Sequence, residues 1–440
     1  MSSTFVRRAM QSALLGGILA GSLLSTTLPA HADEPAGTVA VAAAGSDTTE
    51  KFMNDYLSGK TSSNDGTTTY TVHTYNIPAF PTAAGFPVQN DGKCNAVGSN
   101  TQFPGGTMAW KQTPATPTAP SGSGAGRTRL NLERTVEAGN PHACIDIGRS
   151  SSKGGAGAAE GTFEYYGFAL DAVTWATPSL KAPANLTRQQ VQDIYRCNIK
   201  DWGDLPGGIP GPIQRYLPQS GSGTRNTFES EFLDVSAGNP LPNDGSNGCP
   251  VIKVLDKNGN PFEENQGTTI ANADIDKAIL PYSGGVWAYQ KNNAINPSLD
   301  RRNNVRLGGT TTVTGAITRN AARWNGTNGV YELDFINASN PNGVVDDGNT
   351  SIANASFSKV NGFPGVRFLY NVVDAGNANS YGPAVGLVGF DNQAVPTFRS
   401  PVCNNAARTL ILSYGFAPLT TETGASNLGA TTCRKFAGTA

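Results

Sequence analysis

The segment Gly221-Ser222-Gly223-Thr224-Arg225 constrains this chain more than any other. Ile213 to Pro218 reads as a strand feeding it, and Asn226 to Leu233 follows with the spacing of an amphipathic helix. Strand, glycine-rich turn and helix in that order belong to an α/β protein, with the turn at the strand's C-terminal end. The two glycines let the backbone approach a ligand closely. Two hydroxyls and a guanidinium add donors, and the helix's first turn adds free N–H groups and the positive end of its dipole. This is a site for a phosphate-sized anion, built almost entirely from donors.

Two further turns have the same character. The small apolar run Thr38 to Ala44 leads into Gly45-Ser46-Asp47-Thr48-Thr49 and then a helix pattern in which Asp47 and Glu50 fit a capping box. Cys144 to Gly148 reads as a short strand ending in Arg149-Ser150-Ser151-Ser152. Three hydroxyl-rich turns at strand ends suggest one shared cleft. Leu186 to Tyr195 is the clearest helix, with Thr187 and Gln190 as its capping box and Leu186 and Val191 as the staple around it. Phe168 to Trp175 and Val366 to Val373 read as strands, and Arg408 to Tyr414 as a short helix stopped by Gly415. Residues 99–126 are rich in Gly, Pro, Thr and Ser, which predicts a long surface loop. The stretch 292–364 is Asn-, Thr- and Gly-rich with scattered strand-like pieces.

Arg7 and Arg8, an apolar stretch from Ala13 to Leu28, and Pro29-Ala30-His31-Ala32 have the form of a signal peptide ending at Ala32. No second apolar run follows, and the residue directly after the cleavage site is Asp33 and not a cysteine, so the expectation is a soluble secreted protein, extracellular or periplasmic, without a lipid anchor. Charged residues make up 15% of the chain, and the net charge is −1, against roughly 25% charged residues on average. With no basic run, nucleic acid is excluded as a partner, and an anion site must make its charge locally. The six cysteines, at 94, 144, 197, 249, 403 and 433, are even in number behind an export signal and predict disulfides. Six cysteines allow 15 pairings, among which sequence does not choose; the expectation is pairing of neighbours, Cys94–Cys144, Cys197–Cys249 and Cys403–Cys433. With no C-x-x-C, and only His73 and His142 beyond residue 32, a metal site is not expected. The sequence also lacks H-E-x-x-H and G-x-S-x-G, and no carboxylate cluster stands beside its histidines, so no catalytic residue or cofactor is assigned and the chemistry favours binding over catalysis.

The segment Asn185-Leu-Thr-Arg-Gln-Gln-Val-Gln-Asp-Ile-Tyr-Arg-Cys-Asn-Ile-Lys-Asp-Trp202 resembles a helix signature of the substrate-binding proteins of bacterial phosphate ABC importers. Gln219-Ser-Gly-Ser-Gly-Thr-Arg225 looks like that family's phosphate loop, and Gly45 to Thr49 and Asp146 to Ser151 look like its other two. Tyr370-Asn-Val-Val373 resembles one of its late strands. The resemblance implies an α/β, two-lobed type II periplasmic-binding-protein fold closing over phosphate. The implied division is a signal peptide at 1–32, lobe one at 33–175, lobe two at 176–290, and an insertion with return to lobe one at 291–440. The implied phosphate ligands are Ser46, Asp47, Thr48, Thr49, Arg149, Ser150, Ser151, Ser222, Gly223, Thr224 and Arg225. Three departures stand out. Cys197 replaces the signature's glycine, which fits a disulfide at a turn. Pro218 stands where an arginine is usual, which assigns the guanidinium to Arg225. The second loop lacks its usual aspartate, which assigns the acidic acceptor to Asp47. The expected partners are phosphate and the permease of an ABC importer, with the chain a monomer. The alternatives are a secreted phosphatase of related fold and an adhesive or carbohydrate-binding exoprotein.

Overall fold

The computed structural model describes residues 39–53, 55, 61–62, 70–74, 122–136, 145–154, 160–245, 248–311, 318–334, 363–389, 400–403, 405–418 and 434–437. The expected signal peptide at 1–32 and most of the 99–126 stretch lie outside them, as do Cys94, Cys144 and Cys433 of the expected Cys94–Cys144 and Cys403–Cys433 pairs. The first half comprises β1 (Val39–Gly45), α1 (Asp47–Phe52), β2 (Thr61–Ser62), β3 (Tyr70–Thr74), α2 (Ser123–Val136), β4 (Ile147–Ser150) and β5 (Phe163–Thr177). Then come β6 (Asn185–Thr187), α3 (Arg188–Tyr195), β7 (Gln214–Arg215), α4 (Gly223–Phe228), β8 (Ala278–Ser283) and α5 (Gly284–Asn292). Short strands β9 (Arg306–Leu307), β10 (Gly309–Thr311), β11 (Thr318–Arg319), β12 (Ala322–Asn325) and β13 (Val330–Leu333) follow. The chain ends with β14 (Val366–Asp374), α6 (Ala378–Val388), α7 (Asn405–Ser413), β15 (Ala417–Pro418) and β16 (Arg434–Ala437).

The main sheet runs β2-β3-β1-β4-β14-β5-β8-β7, with β9, β15 and β16 also pairing with β5. β1 is parallel to β3 and β4, and β14 is antiparallel to β4 and β5. β5 organises the whole. Its residues 163–172 face β14, and residues 173–176 face β8. Because alternate side chains of a strand point to opposite faces, it feeds several cores at once. Tyr166, Phe168 and Ala169 pack with Phe52, Leu369, Leu387 and Ile411. Tyr165, Leu170, Val173 and Trp175 pack with Val191, Trp202, Phe228 and Phe232. Ala176 joins Tyr216, Phe262 and Tyr282 in a third cluster.

Several expected elements form as read. In α3, Thr187 Oγ1 accepts from Gln190 N at 3.1 Å and Thr187 N donates to Gln190 Oε1 at 2.8 Å, which is the capping box. Cys197 follows with φ 66°, the left-handed conformation that ends many helices and usually takes glycine. It is bonded to Cys249 across a Cα–Cα distance of 5.8 Å and a sequence separation of 52, a loop worth about 4 kcal/mol in the chain-entropy account. Other elements differ. The end of the expected loop 99–126 is helical, because α2 starts at Ser123 once Gly122 has turned the chain at φ 92°. The strand expected over Ile213 to Pro218 is only Gln214–Arg215. The capping box expected at Asp47 does not form. Ser46 is the N-cap position, it makes no side-chain cap, and Asp47 is already helical.

Candidate anion-binding site

β1 and β4 run parallel and end side by side, Gly45 opposite Arg149. The fit demands glycine there: a Cβ on Gly45, at φ 133°, would sit 2.4 Å from Arg149 O. Ser46 N then donates to Arg149 O at 2.9 Å, which turns the chain into α1. The Ser46 hydroxyl donates to Ser151 Oγ at 3.0 Å instead of capping its helix. Ser151 Oγ also lies 3.2 Å from Ser123 Oγ at the start of α2, and Ser151 N donates to Ser123 Oγ at 2.9 Å. The third turn closes on these two. A Cβ on Gly223 would come within 2.3 Å of Ser151 Oγ and 2.4 Å of Ser123 Oγ, so only glycine lets α4 start there. Thr48 Oγ1 and Thr224 Oγ1 meet at 3.3 Å. All three hydroxyl-rich turns therefore converge, as the sequence suggests.

The guanidinium at their centre is that of Arg367. β14 is antiparallel to β4 with Tyr370 opposite Ser150, so Arg367 lies just past the end of β4. Its Nη2 donates to Thr48 Oγ1 at 3.1 Å and Thr224 Oγ1 at 3.0 Å, and its Nη1 to Ser151 Oγ at 3.2 Å. Asp171, directly opposite on β5, orients it: Asp171 Oδ2 accepts from Arg367 Nε at 3.0 Å and Nη2 at 2.7 Å. The other oxygen of Asp171 accepts from Ser283 Oγ at 2.8 Å and Gly285 N at 3.0 Å, at the start of α5. Arg225, assigned this role from sequence, faces away. Its Nε donates to Glu229 at 2.9 Å and its Nη1 to Pro218 O at 3.1 Å. Arg225 stands four residues before Glu229 on one helical ridge, where a part-buried pair forms locally.

Glu264 completes the cluster. Its Oε1 accepts from Thr48 N at 3.1 Å and Thr48 Oγ1 at 2.6 Å, and its Oε2 accepts from Thr224 N at 3.2 Å and from Ser222 Oγ. Thr48 and Thr224 occupy the second positions of α1 and α4, so one carboxylate takes a free helix-start N–H from each. Ser222 Oγ also caps α4 by accepting from Arg225 N at 3.1 Å. Every side chain of this cluster is buried.

The remaining sequence-assigned residues sit around it. Thr49 is a buried residue of α1. Ser150 Oγ accepts from Arg127 Nη1 at 2.9 Å and donates to Ser152 O at 2.6 Å, facing the flank of the cluster. Arg149 is buried with its Nη2 4.0 Å from Glu50 Oε2; burial lowers its pKa, while Glu50 and Asp47 raise it. Asp47 belongs to that group. Burial raises its carboxyl well above the usual range, and Glu263, Glu264 and Glu50 add to the rise against Arg149. Glu50 is raised to about 7, chiefly by burial and then by Glu263 and Glu264, with Arg149 and Arg301 opposing. Sequence reading missed Ser123, Asp171, Glu264 and Arg367. Asp171 and Arg367 carried a signal: each is a charge flanked by apolar residues within a strand, and such charges are paired when buried. Glu264 lies in an irregular loop and carried none. Among the described residues, no group of three or more His, Cys, Asp or Glu side chains could hold a metal ion, and no helix is long and apolar enough to cross a membrane.

Solved structures similar to this chain include a Clostridium perfringens protein described as a phosphate ABC transporter substrate-binding protein, with phosphate bound. It is 12% identical, with 87% of this chain and 100% of that one covered, at a TM-score of 0.42. An ABC-type phosphate transport receptor from Vibrio cholerae is 17% identical, with 70% and 90% covered, at a TM-score of 0.36. A phosphate binding protein from Stenotrophomonas maltophilia is 17% identical, with 69% and 83% covered, at 0.38. No curated protein matches the sequence. The family model of the PBP superfamily domain matches residues 31–253, which include the first β-strand, all three hydroxyl-rich turns and the α3 signature. That match takes in just over half of the 440 residues, and the chain therefore belongs to the PBP superfamily, with the mixed α/β sheet of a type II periplasmic-binding-protein fold.

Proposed function

We propose that this protein is exported, captures inorganic phosphate in the cluster around Arg367, and delivers it to the permease of an ABC importer. Two lobes, meeting near β5, would close over the anion. The observation that carries the reading is the convergence of Arg367 with the hydroxyls of Thr48, Ser151 and Thr224 and the backbone N–H groups of Thr48 and Thr224. Guanidinium, hydroxyl and helix-start N–H groups together suit a tetrahedral oxyanion. The motif resemblance at 185–202 and 219–225 directs the choice to phosphate. In this reading the protein is a receptor and not an enzyme: the hydroxyls of the cluster serve as hydrogen-bond partners of Arg367 and Glu264, in places an oxyanion's oxygens would take. Asp47 and Arg149 act from beside the site, through its field. Calorimetric titration with phosphate, sulfate and simple sugars tests the proposal. One phosphate per chain and no heat from sugars is the expected outcome; saturable sugar binding without phosphate binding refutes it.

A further inference from the structure

Glu264 is a carboxylate bonded to the donors that an anion ligand needs. Its two oxygens span the cluster, Oε1 on α1 and Oε2 on α4. The backbone on either side of it is fixed. Phe262 N donates to Val254 O at 2.8 Å, and Phe262 O accepts from Gln219 N at 3.0 Å. Asn265 adopts φ 62°, and its carbonyl accepts from Tyr282 Oη at 2.7 Å and Gln290 Nε2 at 3.0 Å. Its side-chain oxygen accepts from Ser283 N at 2.8 Å. The adjacent acid, Glu263, turns elsewhere and accepts from Gln266 Nε2. The loop thus presents a single carboxylate to the donors, and that side chain is 2% exposed.

A backbone N–H makes one good hydrogen bond at a time. The N–H groups of Thr48 and Thr224 therefore serve Glu264 or an incoming anion, and not both. We propose that the site is self-liganded: Glu264 is an internal anion that bridges the two helix starts in the ligand-free protein, and phosphate, on the reading above, enters by displacing it. The exchange needs only rotation about side-chain bonds, because the loop backbone is anchored on both sides. A tethered competitor holds a high effective concentration at its site, and only the fraction of molecules with the carboxylate swung out can bind ligand. Apparent affinity is lowered by that fraction. The tether also sets a threshold for entry. A free monocarboxylate offers nothing the internal one lacks and is excluded. A tetrahedral dianion brings further oxygens for Arg367 and Ser151, so it can replace Glu264. A role in which Glu264 stays in place and accepts a proton from the bound ligand predicts the opposite sign of effect when its charge is removed.

The test uses the full chain with Glu264→Ala and Glu264→Gln. Calorimetry with phosphate should show binding tightened about tenfold or more in both variants. Thermal melts with acetate should show stabilisation of Glu264→Ala and no response in wild type, because acetate fills the place the side chain has left. Weaker phosphate binding in the variants overturns the proposal, and so does a Glu264→Ala protein that acetate fails to stabilise. If Glu264→Ala does not fold, the sign of the change in Glu264→Gln decides. If neither wild type nor variant binds phosphate while acetate stabilises Glu264→Ala alone, self-liganding stands and the phosphate reading falls.

Discussion

Replacing Arg367 with methionine separates two roles of one guanidinium. Arg367 and Asp171 are 6% and 0% exposed, so the variant leaves a buried carboxylate without its cation. Breaking such a pair costs about 3–5 kcal/mol of stability. Asp171 keeps Ser283 Oγ at 2.8 Å and Gly285 N at 3.0 Å, and each charged hydrogen bond is worth about 1.5–3 kcal/mol. These remaining donors put the expected loss at the low end, about 3 kcal/mol. Phosphate binding should suffer separately, by about 2–5 kcal/mol, because the anion then meets hydroxyls and N–H groups alone. Denaturant titration and calorimetry read the two effects. Adding Asp171→Asn to Arg367→Met removes the stranded charge and leaves an amide oxygen for Ser283 and Gly285. The double variant should recover most of the stability and none of the phosphate affinity. Additive losses of stability would refute the buried-pair argument. Undiminished phosphate affinity in Arg367→Met would remove the guanidinium from the site.

Gly223→Ala should lower the melting temperature and weaken phosphate binding together. Its Cβ would meet two buried hydroxyls, and overpacking of this kind costs about 1–3 kcal/mol. Arg225→Ala should leave phosphate affinity within about 1 kcal/mol of wild type, since its partly exposed pair with Glu229 lies outside the cluster; a larger loss by calorimetry would return Arg225 to the site. Glu50 predicts a pH dependence. Its pKa rises from 4.5 to about 7 on folding, so the folded chain holds a proton that the unfolded chain has given up between those values. The stability this contributes is full below pH 4.5 and is lost as pH rises through 7, by about 3 kcal/mol. Glu50→Gln should flatten that slope in melts from pH 4.5 to 8, and an unchanged slope would assign it elsewhere.

The fold was legible where local pattern and tertiary demand agreed. The α3 capping box, the apolar strands β5 and β14 and the stop at Gly415 are short-range signals. The three turns were found because a strand end rich in glycine and hydroxyls looks the same before and after folding. The cap at Asp47 was misread for a tertiary reason. Ser46 spends its hydroxyl on Ser151, more than a hundred residues away, and the helix-start N–H goes to Glu264. Arg367 and Asp171 are 196 residues apart and become neighbours only through the register of β14 on β5. No local pattern encodes that register. Arg225 sits in the motif, but its side chain has a nearer partner in Glu229.

The central place of β5 has a consequence for how such a chain can change over evolutionary time. Asp171 lies on β5 itself, and Arg367 on its immediate neighbour. The Ser151 and Ser46 turns follow strands one and two steps further along the sheet, and the Ser222 turn follows β7, two steps away on the other side. The Arg367–Asp171 pair at the centre of the site is set by sheet register and not by the length of a connection between strands. Connections that carry none of the site's residues can therefore grow, shrink or acquire new surface chemistry while that pair keeps its geometry. Substitutions within the fifteen residues of β5 have no such freedom. Drift in this family should collect in the loops, and the strand that every functional group leans on should be the slowest part of the sequence to move.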